Sequence, residues 1–394
     1  MSNNQDKKKY VYFITGGGTG GHIYPAVAVA DALMQDEETK DLFYIGNPKN
    51  LEYDIVKQKG YKFLGINVHG MPRRFSFDFV KWAFQLWVAW LKCCFYLLKY
   101  KPNVVFGTGG YVSAPILLAC ISFIKGKTRP TPYMMHDCDA QPGLVTRKFS
   151  NHAKCVSLAF ESAQEFVKNK NCCINGNPIR EKFKTLTKEE ARKTLGLENK
   201  LTVCIMGGSQ GARTINDSAV EILKTLSLEC NVQVIFQTGK KNFERAIEQL
   251  ITIYPQYQSD KNIIIKPYFE DMVTVLKASD IAVSRSGSLS ISEIEASGIA
   301  PIFVPYPHAA SDHQRKNAKC MLEKNAGLYV EDSELTPKCL LDMLKSLINN
   351  PQKLHSIQQN VLSLAKFNGV ENIVSQLKSI AESKKILYNK SIVK

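Results

Sequence analysis

The chain has 394 residues, enough for two domains, and its 44% hydrophobic and 22% charged residues suit a soluble protein with packed cores. A net charge of +15, with 22 Lys/Arg against 13 Asp/Glu in residues 1–177, fits nucleic acid, anionic lipid or a pyrophosphate substrate alike and selects none of them. The 11 cysteines contain no C-x-x-C spacing, which argues against a metal framework and fits a reducing cytoplasm.

The start, MSNNQDKKKY, reads as a solvated basic tail, and the apolar run after it is too short for a signal-peptide core. The chemistry is therefore expected on the cytoplasmic side. The next stretch, YVYFITGGGTGGHIYP, reads as a buried strand (10–15), a glycine turn and a helix (23–35). Backbone amides in such a turn, with the positive end of the following helix, favour a phosphate or pyrophosphate. Gly16, Gly18 and Gly21 satisfy G-x-G-x-x-G, but the second strand, LFYIGN, ends without the acid a dinucleotide site requires. The Walker spacing is also present, with His22 and Ile23 where Lys and Ser/Thr are needed. A nucleotide-sugar loop and a ligand-free turn are the remaining readings.

Further strands are expected at 42–46, 62–66, 103–107, 132–136 and 154–157, then at 201–206, 232–236, 262–266, 281–284 and 301–304, with helical patterns such as 113–124, 211–228 and 311–324 between them. This alternation predicts an α/β fold of two doubly wound parallel sheets. GNPIREKF (176–183) carries turn signals between the two series. Domains are expected at 1–177 and 178–365, followed by a helical tail, 366–394, packing back on the first domain.

Residues 73–101 depart from the pattern. They hold all three tryptophans, Trp82, Trp87 and Trp90, and six Lys/Arg against one acid, Asp78. Trp82 to Leu98 is short for a membrane span and contains Lys92. A helix packed on the sheet and a helix lying in a lipid interface both fit.

In the second half, GGSQGARTIND repeats the strand–glycine–helix logic, and Gly207 to Gly211 also matches the hydrolase elbow G-x-S-x-G. A serine hydrolase would use Ser209 with Asp280 or Asp312 and His308 or His313. Further on, RSGS reads as a turn, Ser288 as a helix N-cap, and Glu293 as a carboxylate at the ligand edge of the sheet, able to accept two ribose hydroxyls.

TGGGTGGHIYPAVAVA, PNVVFGTGGYVSAP, the PGL of QPGLVTRKFS, GNPIR, GGSQGARTIN, SRSGSLSISEI and HQRKNA occur in order from Thr15 to Ala318. Together they resemble the MurG family of bacterial peptidoglycan glycosyltransferases, which add N-acetylglucosamine to lipid I to make lipid II. The resemblance implies a GT-B architecture of two Rossmann-like domains, a cleft between them, inversion at the anomeric carbon, and no required metal or cofactor. It implies UDP-N-acetylglucosamine and a polyprenyl-pyrophosphoryl acceptor as substrates, an anionic membrane surface as a partner, no nucleic acid, and a peripheral place on the cytoplasmic face of the cell membrane.

Matched by position, the donor would meet Thr19, Gly20, Gly21, Asp139, Arg180, Ser209, Phe269, Gln314 and the segment Ser288, Leu289, Ser290, Ile291, Ser292 and Glu293. The acceptor pyrophosphate would meet Gly16, Gly17, Gly18, Gly109, Gly110 and Tyr111. Trp82, Trp87 and Trp90 would contact the membrane. His22 would be the base, imidazole having an ordinary pKa near ~6.5, with loop orientation as its other possible role. One departure stands out: the family's HEQN is His136-Asp137-Cys138-Asp139 here. Asp139 thus replaces an Asn expected on the sugar, and Asp137-x-Asp139 matches the D-x-D of metal-dependent transferases, a pattern common by chance.

Overall fold

The computed structural model describes residues 9–72, 77–122, 131–208 and 210–392, with side chains described as far as Lys384. Ser209, Arg73 and Arg74 lie outside the described residues. The chain divides into two compact units, Met1–Pro178 with Asn368–Lys394, and Ile179–Phe367.

The first unit contains β1 (Tyr10–Thr15), α1 (Gly20–Gln35), β2 (Thr39–Gly46), α2 (Leu51–Gln58), β3 (Lys62–Gly65), α3 (Phe77–Tyr100), β4 (Val104–Gly107), α4 (Ala114–Ile121), β5 (Tyr133–Asp137), α5 (Leu144–Phe149), β6 (Cys155–Leu158) and β7 (Cys172–Ile174). Its seven strands are parallel, in the order β3-β2-β1-β4-β5-β6-β7. Strand side chains alternate between faces, and both faces are apolar. Phe13, Phe43, Val105 and Met135 face one way, with Ala89 and Cys93 of α3 and Ile116 of α4. Tyr12, Ile14, Tyr44 and Phe106 face the other, with Ile23, Ala26, Ala30 and Leu33 of α1.

The second unit contains α6 (Lys182–Thr185), α7 (Lys188–Leu195), β8 (Thr202–Met206), α8 (Arg213–Leu228), β9 (Gln233–Gln237), α9 (Phe243–Ile253), β10 (Ile263–Lys266), α10 (Met272–Ala278), β11 (Ile281–Ser284), α11 (Ser288–Ser297), β12 (Ala300–Phe303), α12 (His313–Glu323), β13 (Leu328–Tyr329), α13 (Pro337–Ile348) and α14 (Pro351–Leu364). The last helix, α15 (Gly369–Ile392), returns to the first unit, where Ile373, Leu377 and Ala381 complete the α1 side of the core.

The second sheet is also parallel, in the order β10-β9-β8-β11-β12-β13. Each sheet thus reverses its winding once, between β1 and β4 in the first and between β8 and β11 in the second. Ligands of doubly wound sheets bind beyond the carboxyl ends of the strands at such a reversal. β7 and β13 are not expected from the sequence; they have three and two residues and sit at the sheet edges, where short strands limit unwanted pairing.

α3 is one continuous helix with two apolar faces. Ala89, Cys93, Cys94 and Tyr96 are buried in the core. Phe77, Val80, Phe84, Trp87, Val88, Leu91, Phe95 and Leu98 recur at helical spacing and are exposed, Phe84 by 62% and Trp87 by 53%. Trp90 departs from the expected role: it packs against the core and its Nε1 donates to Ser122 Oγ (3.1 Å). Trp82 donates its indole N–H to His69 O (3.0 Å). No helix among the described residues is long and apolar enough to cross a membrane.

Candidate functional site

In the first unit, the loop after β1 and the loop after β4 meet at the winding reversal. β1 pairs with β4 through Thr15↔Gly107, so the residues that follow, Gly16 to Gly21 and Thr108 to Tyr111, leave the sheet side by side. Thr108 clasps His22 twice. Its carbonyl oxygen accepts from His22 Nδ1 (2.8 Å), and its hydroxyl donates to His22 O (2.6 Å). A neutral imidazole that donates from Nδ1 has an unprotonated Nε2 available as an acceptor.

The loops touch backbone to backbone. Gly110 has φ 76°, and a Cβ there would stand 2.3 Å from Gly17 O; Gly18 has φ 88° with its open side against the Tyr111 ring. Of the residues expected on the acceptor, Gly16, Gly17 and Gly109 are buried behind this surface, whereas Gly18 is exposed and Gly110 and Tyr111 are half-exposed; of those expected on the donor, Thr19 is exposed and Gly20 and Gly21 are half-exposed. The buried three shape the site without facing it, because Thr108, Glu52 and His22 occupy the space their side chains would fill.

The HDCD stretch sits at the end of β5. His136 is fully buried; Ser157 Oγ lies 3.0 Å from Nδ1 and Asn177 Oδ1 lies 3.1 Å from Nε2. Burial holds its pKa down at about 4, so the ring is neutral. Asn177, of GNPIR, also donates to Cys138 O (3.3 Å). Asp137 is buried and accepts the amides of Asp139 and Gly143 (3.2 Å each), and burial pushes its carboxyl upward. Asp139 is half-buried. Asp137, Cys138 and Asp139 bring metal-ligand atom types within 4.8 Å of one another, but both Asp137 oxygens already accept backbone amides.

In the second unit, Arg180 Nη2 donates to Glu293 Oε1 (2.8 Å). The carboxylate expected on a ribose and the guanidinium expected on the donor therefore hold each other. Burial pushes the Glu293 carboxyl upward, and Arg180 opposes the shift. Ser288 is the first residue of α11 and not its cap; Gly287 occupies the N-cap. Leu289 and Ser290 lie in the first turn, whose amides have no acceptor within the helix. Ile291 does not fit a donor contact: its side chain is fully buried and its amide bonds Gly287 O (2.9 Å). Ser292 is also buried.

Gln314 is the second residue of α12, which follows Ser311 and Asp312, two non-glycine residues at φ 54° and 57°. Its Oε1 accepts from Tyr306 N (3.0 Å) and its carbonyl from Ser286 Oγ (2.8 Å), which ties the RSGS turn to the α12 start. The Phe269 ring is buried, and its amide donates to Gln237 Oε1 (2.8 Å), so any base contact there would have to use the backbone. A cavity of about 400 Å³ opens beside it, lined by Lys266, Tyr268, Phe269, Asp271 and Thr274 among others.

Of the partners named for a hydrolase, Asp280, Asp312 and His313 are engaged by other groups, and Ser209 lies outside the described residues. Asp280 precedes β11, at the sheet edge opposite the Gly207 turn, and pairs with Lys188 and Arg192. Asp312 pairs with Arg315 (2.7 Å), and His313 Nδ1 bonds Ala310 O (2.7 Å).

Thr108 and Glu52, which bond His22 and the first glycine loop, were not singled out by the sequence. Thr108 stands inside the expected glycine loop, where a lone hydroxyl draws no attention. Glu52 sits in LEYDI, which reads as an ordinary helix start.

The models of the glycosyltransferase family 28 N-terminal and C-terminal domains match residues 12–158 and 202–377. A relative from Thermoanaerobacter sp. (strain X514), named UDP-N-acetylglucosamine–N-acetylmuramyl-(pentapeptide) pyrophosphoryl-undecaprenol N-acetylglucosamine transferase, is 35% identical over 371 residues, 94% of this chain and 99% of that protein. One of the same name from Halalkalibacterium halodurans is 32% identical over 370 residues, 94% and 99% of the two chains. The crystal structure of Acinetobacter baumannii MurG matches with a TM-score of 0.75 at 25% identity, over 94% of this chain and 99% of that one. A Listeria monocytogenes structure described as a UDP-N-acetylglucosamine 2-epimerase shares the fold, with a TM-score of 0.66 at 12% identity over 95% and 97%. The fold is GT-B, with two Rossmann-like domains, and the chain belongs to the MurG family of glycosyltransferases.

Proposed function

We propose that the protein transfers N-acetylglucosamine from UDP-N-acetylglucosamine to the muramoyl sugar of lipid I, giving lipid II with inversion at the anomeric carbon. The acceptor hydroxyl oxygen bonds C1 of the sugar, the bond from C1 to the pyrophosphate oxygen breaks, and the hydroxyl proton passes to His22 Nε2. The observation that carries this assignment is the bond from His22 Nδ1 to Thr108 O (2.8 Å), which leaves Nε2 as the acceptor.

The outer face of the first glycine loop and the loop around Gly110 and Tyr111 receive the acceptor pyrophosphate, and Thr19, Gly20, Gly21 and Asp139 approach the donor sugar. In the second unit, Glu293 accepts the ribose hydroxyls once it is released from Arg180, which turns to the departing pyrophosphate together with the first turn of α11. Gln314 meets the sugar, and the backbone at Phe269 the base.

The exposed face of α3 lies in the lipid interface at the cytoplasmic face of the membrane, with Lys81, Lys92 and Lys99 facing anionic headgroups.

The test is release of UDP from UDP-N-acetylglucosamine in the presence of a lipid I analogue. Turnover should require both substrates, and its absence with folded protein overturns the assignment. Glu293→Ala should weaken donor binding by about 1.5–3 kcal/mol, the worth of hydrogen bonds to a charged acceptor. Unchanged donor affinity by calorimetry removes Glu293 from the site.

A further inference from the structure

Glu52 is fully buried, in the first turn of α2, directly behind the first glycine loop. A buried carboxylate is costly unless it is paired or well hydrogen-bonded. Glu52 accepts from three N–H groups: Oε1 accepts from Asn47 N (3.1 Å) and Asn50 Nδ2 (3.2 Å), and Oε2 accepts from Gly18 N (3.4 Å). The same Asn50 amide donates to the Tyr111 hydroxyl (2.9 Å).

One carboxylate therefore ties together the glycine loop after β1, the end of β2 and, through Asn50, the glycine loop after β4. The neighbouring sequence leaves room for it. A Cβ on Gly17 would lie 2.7 Å from Glu52 Oε1, and one on Gly46 would lie 2.9 Å from its Cγ.

We propose that Glu52 is a positioning residue for the acceptor pyrophosphate: its carboxylate turns the Gly18 amide inward and, through Asn50, holds Tyr111, so that the outer face of the two loops and His22 stand ready for the anion. The inference rests on the proposed transferase reaction and adds a residue to its acceptor half. A negative charge set behind an anion site must do work that offsets its repulsion. Here it fixes a glycine-rich segment that would otherwise be free to reorient.

The test is Glu52→Gln, which keeps the shape. Its oxygen can serve Asn47 and Asn50, but its NH₂ then faces the Gly18 amide, donor against donor. With full-length enzyme, UDP-N-acetylglucosamine and a lipid I analogue, kcat/KM for the acceptor should fall roughly tenfold or more, whereas donor KM stays within about twofold. Amide hydrogen exchange over residues 14–24 should quicken, with the second unit unchanged. The exchange result is independent of turnover, so it separates failure of this inference from failure of the transferase assignment.

Asn50→Ala, half-exposed, serves if Glu52→Gln fails to fold; it should raise acceptor KM and quicken exchange around Tyr111. Acceptor kinetics and loop exchange at wild-type values in the folded variant overturn the proposal. So does an equal loss for donor and acceptor with a lowered melting point, which would mark a purely structural residue.

Discussion

The two ring nitrogens of His22 are set apart by Thr108, and that asymmetry separates its two possible roles. If Nε2 takes the acceptor proton, His22→Ala should lower turnover roughly 100-fold or more and leave donor affinity almost unchanged. If the ring only orients the loop, donor affinity should fall with the rate. His136 gives a contrasting case. Its pKa is pressed to about 4 by burial, below the 6.5 of an unfolded histidine, so the unfolded chain binds the proton first as pH falls. The stability owed to the neutral ring is complete above about pH 6.5 and is lost on the way down to about 4. Urea midpoints at pH 7.5 and pH 5 should therefore show the gap between wild type and His136→Gln narrowing at the lower pH; a constant gap would mean the ring charges as readily folded as unfolded.

At the scale of the element, α3 divides its tryptophans. Trp87 is half-exposed in an apolar stripe, whereas Trp90 is held by Ser122 and the core. Phe84→Ser with Trp87→Ser should therefore weaken binding to anionic vesicles without lowering the melting point, and Trp90→Ser should destabilise. Lys81, Lys92 and Lys99 changed to Glu should weaken binding by about 1 kcal/mol per charge or more, with an effect that shrinks in salt. Flotation showing no lipid preference would return the stripe to another use. The same helix shows what a sequence can and cannot tell. Its length and apolar character are legible, but with two apolar faces periodicity cannot say which one the core takes. The glycine loops are legible because the backbone requirement is written in residue type. Glu52 and Thr108 are not, because their role comes from contacts 34 and 86 positions away in the chain, to Gly18 and His22. The positions of Phe269 and Ile291 along the chain are legible, but position alone does not show that their side chains turn inward.

At the scale of the whole molecule, the first unit is discontinuous in sequence and the second is not. The chain leaves the first unit at Pro178 and returns at Asn368, so the core on the α1 side lacks Ile373, Leu377 and Ala381 until the last helix is made. Lys378 fastens that helix to Asp36 (2.6 Å) and Glu38 (3.1 Å), a partly exposed pair that adds little beside the apolar contacts. Leu377 is fully buried, and Leu377→Ala should cost about 2–5 kcal/mol through lost transfer energy and the cavity left behind. A two-unit protein need not unfold in one step, so the loss should appear in the first unit's transition, with the second unit's melting unmoved. The fragment 179–367 holds Arg180, Phe269, Glu293 and Gln314 and the complete second sheet. It should fold alone and retain measurable affinity for UDP, whereas 1–178 without the last helix should not fold cooperatively. A folded 1–178 fragment, or a Leu377→Ala variant that melts like the wild type, would show that α15 covers a core already complete without it.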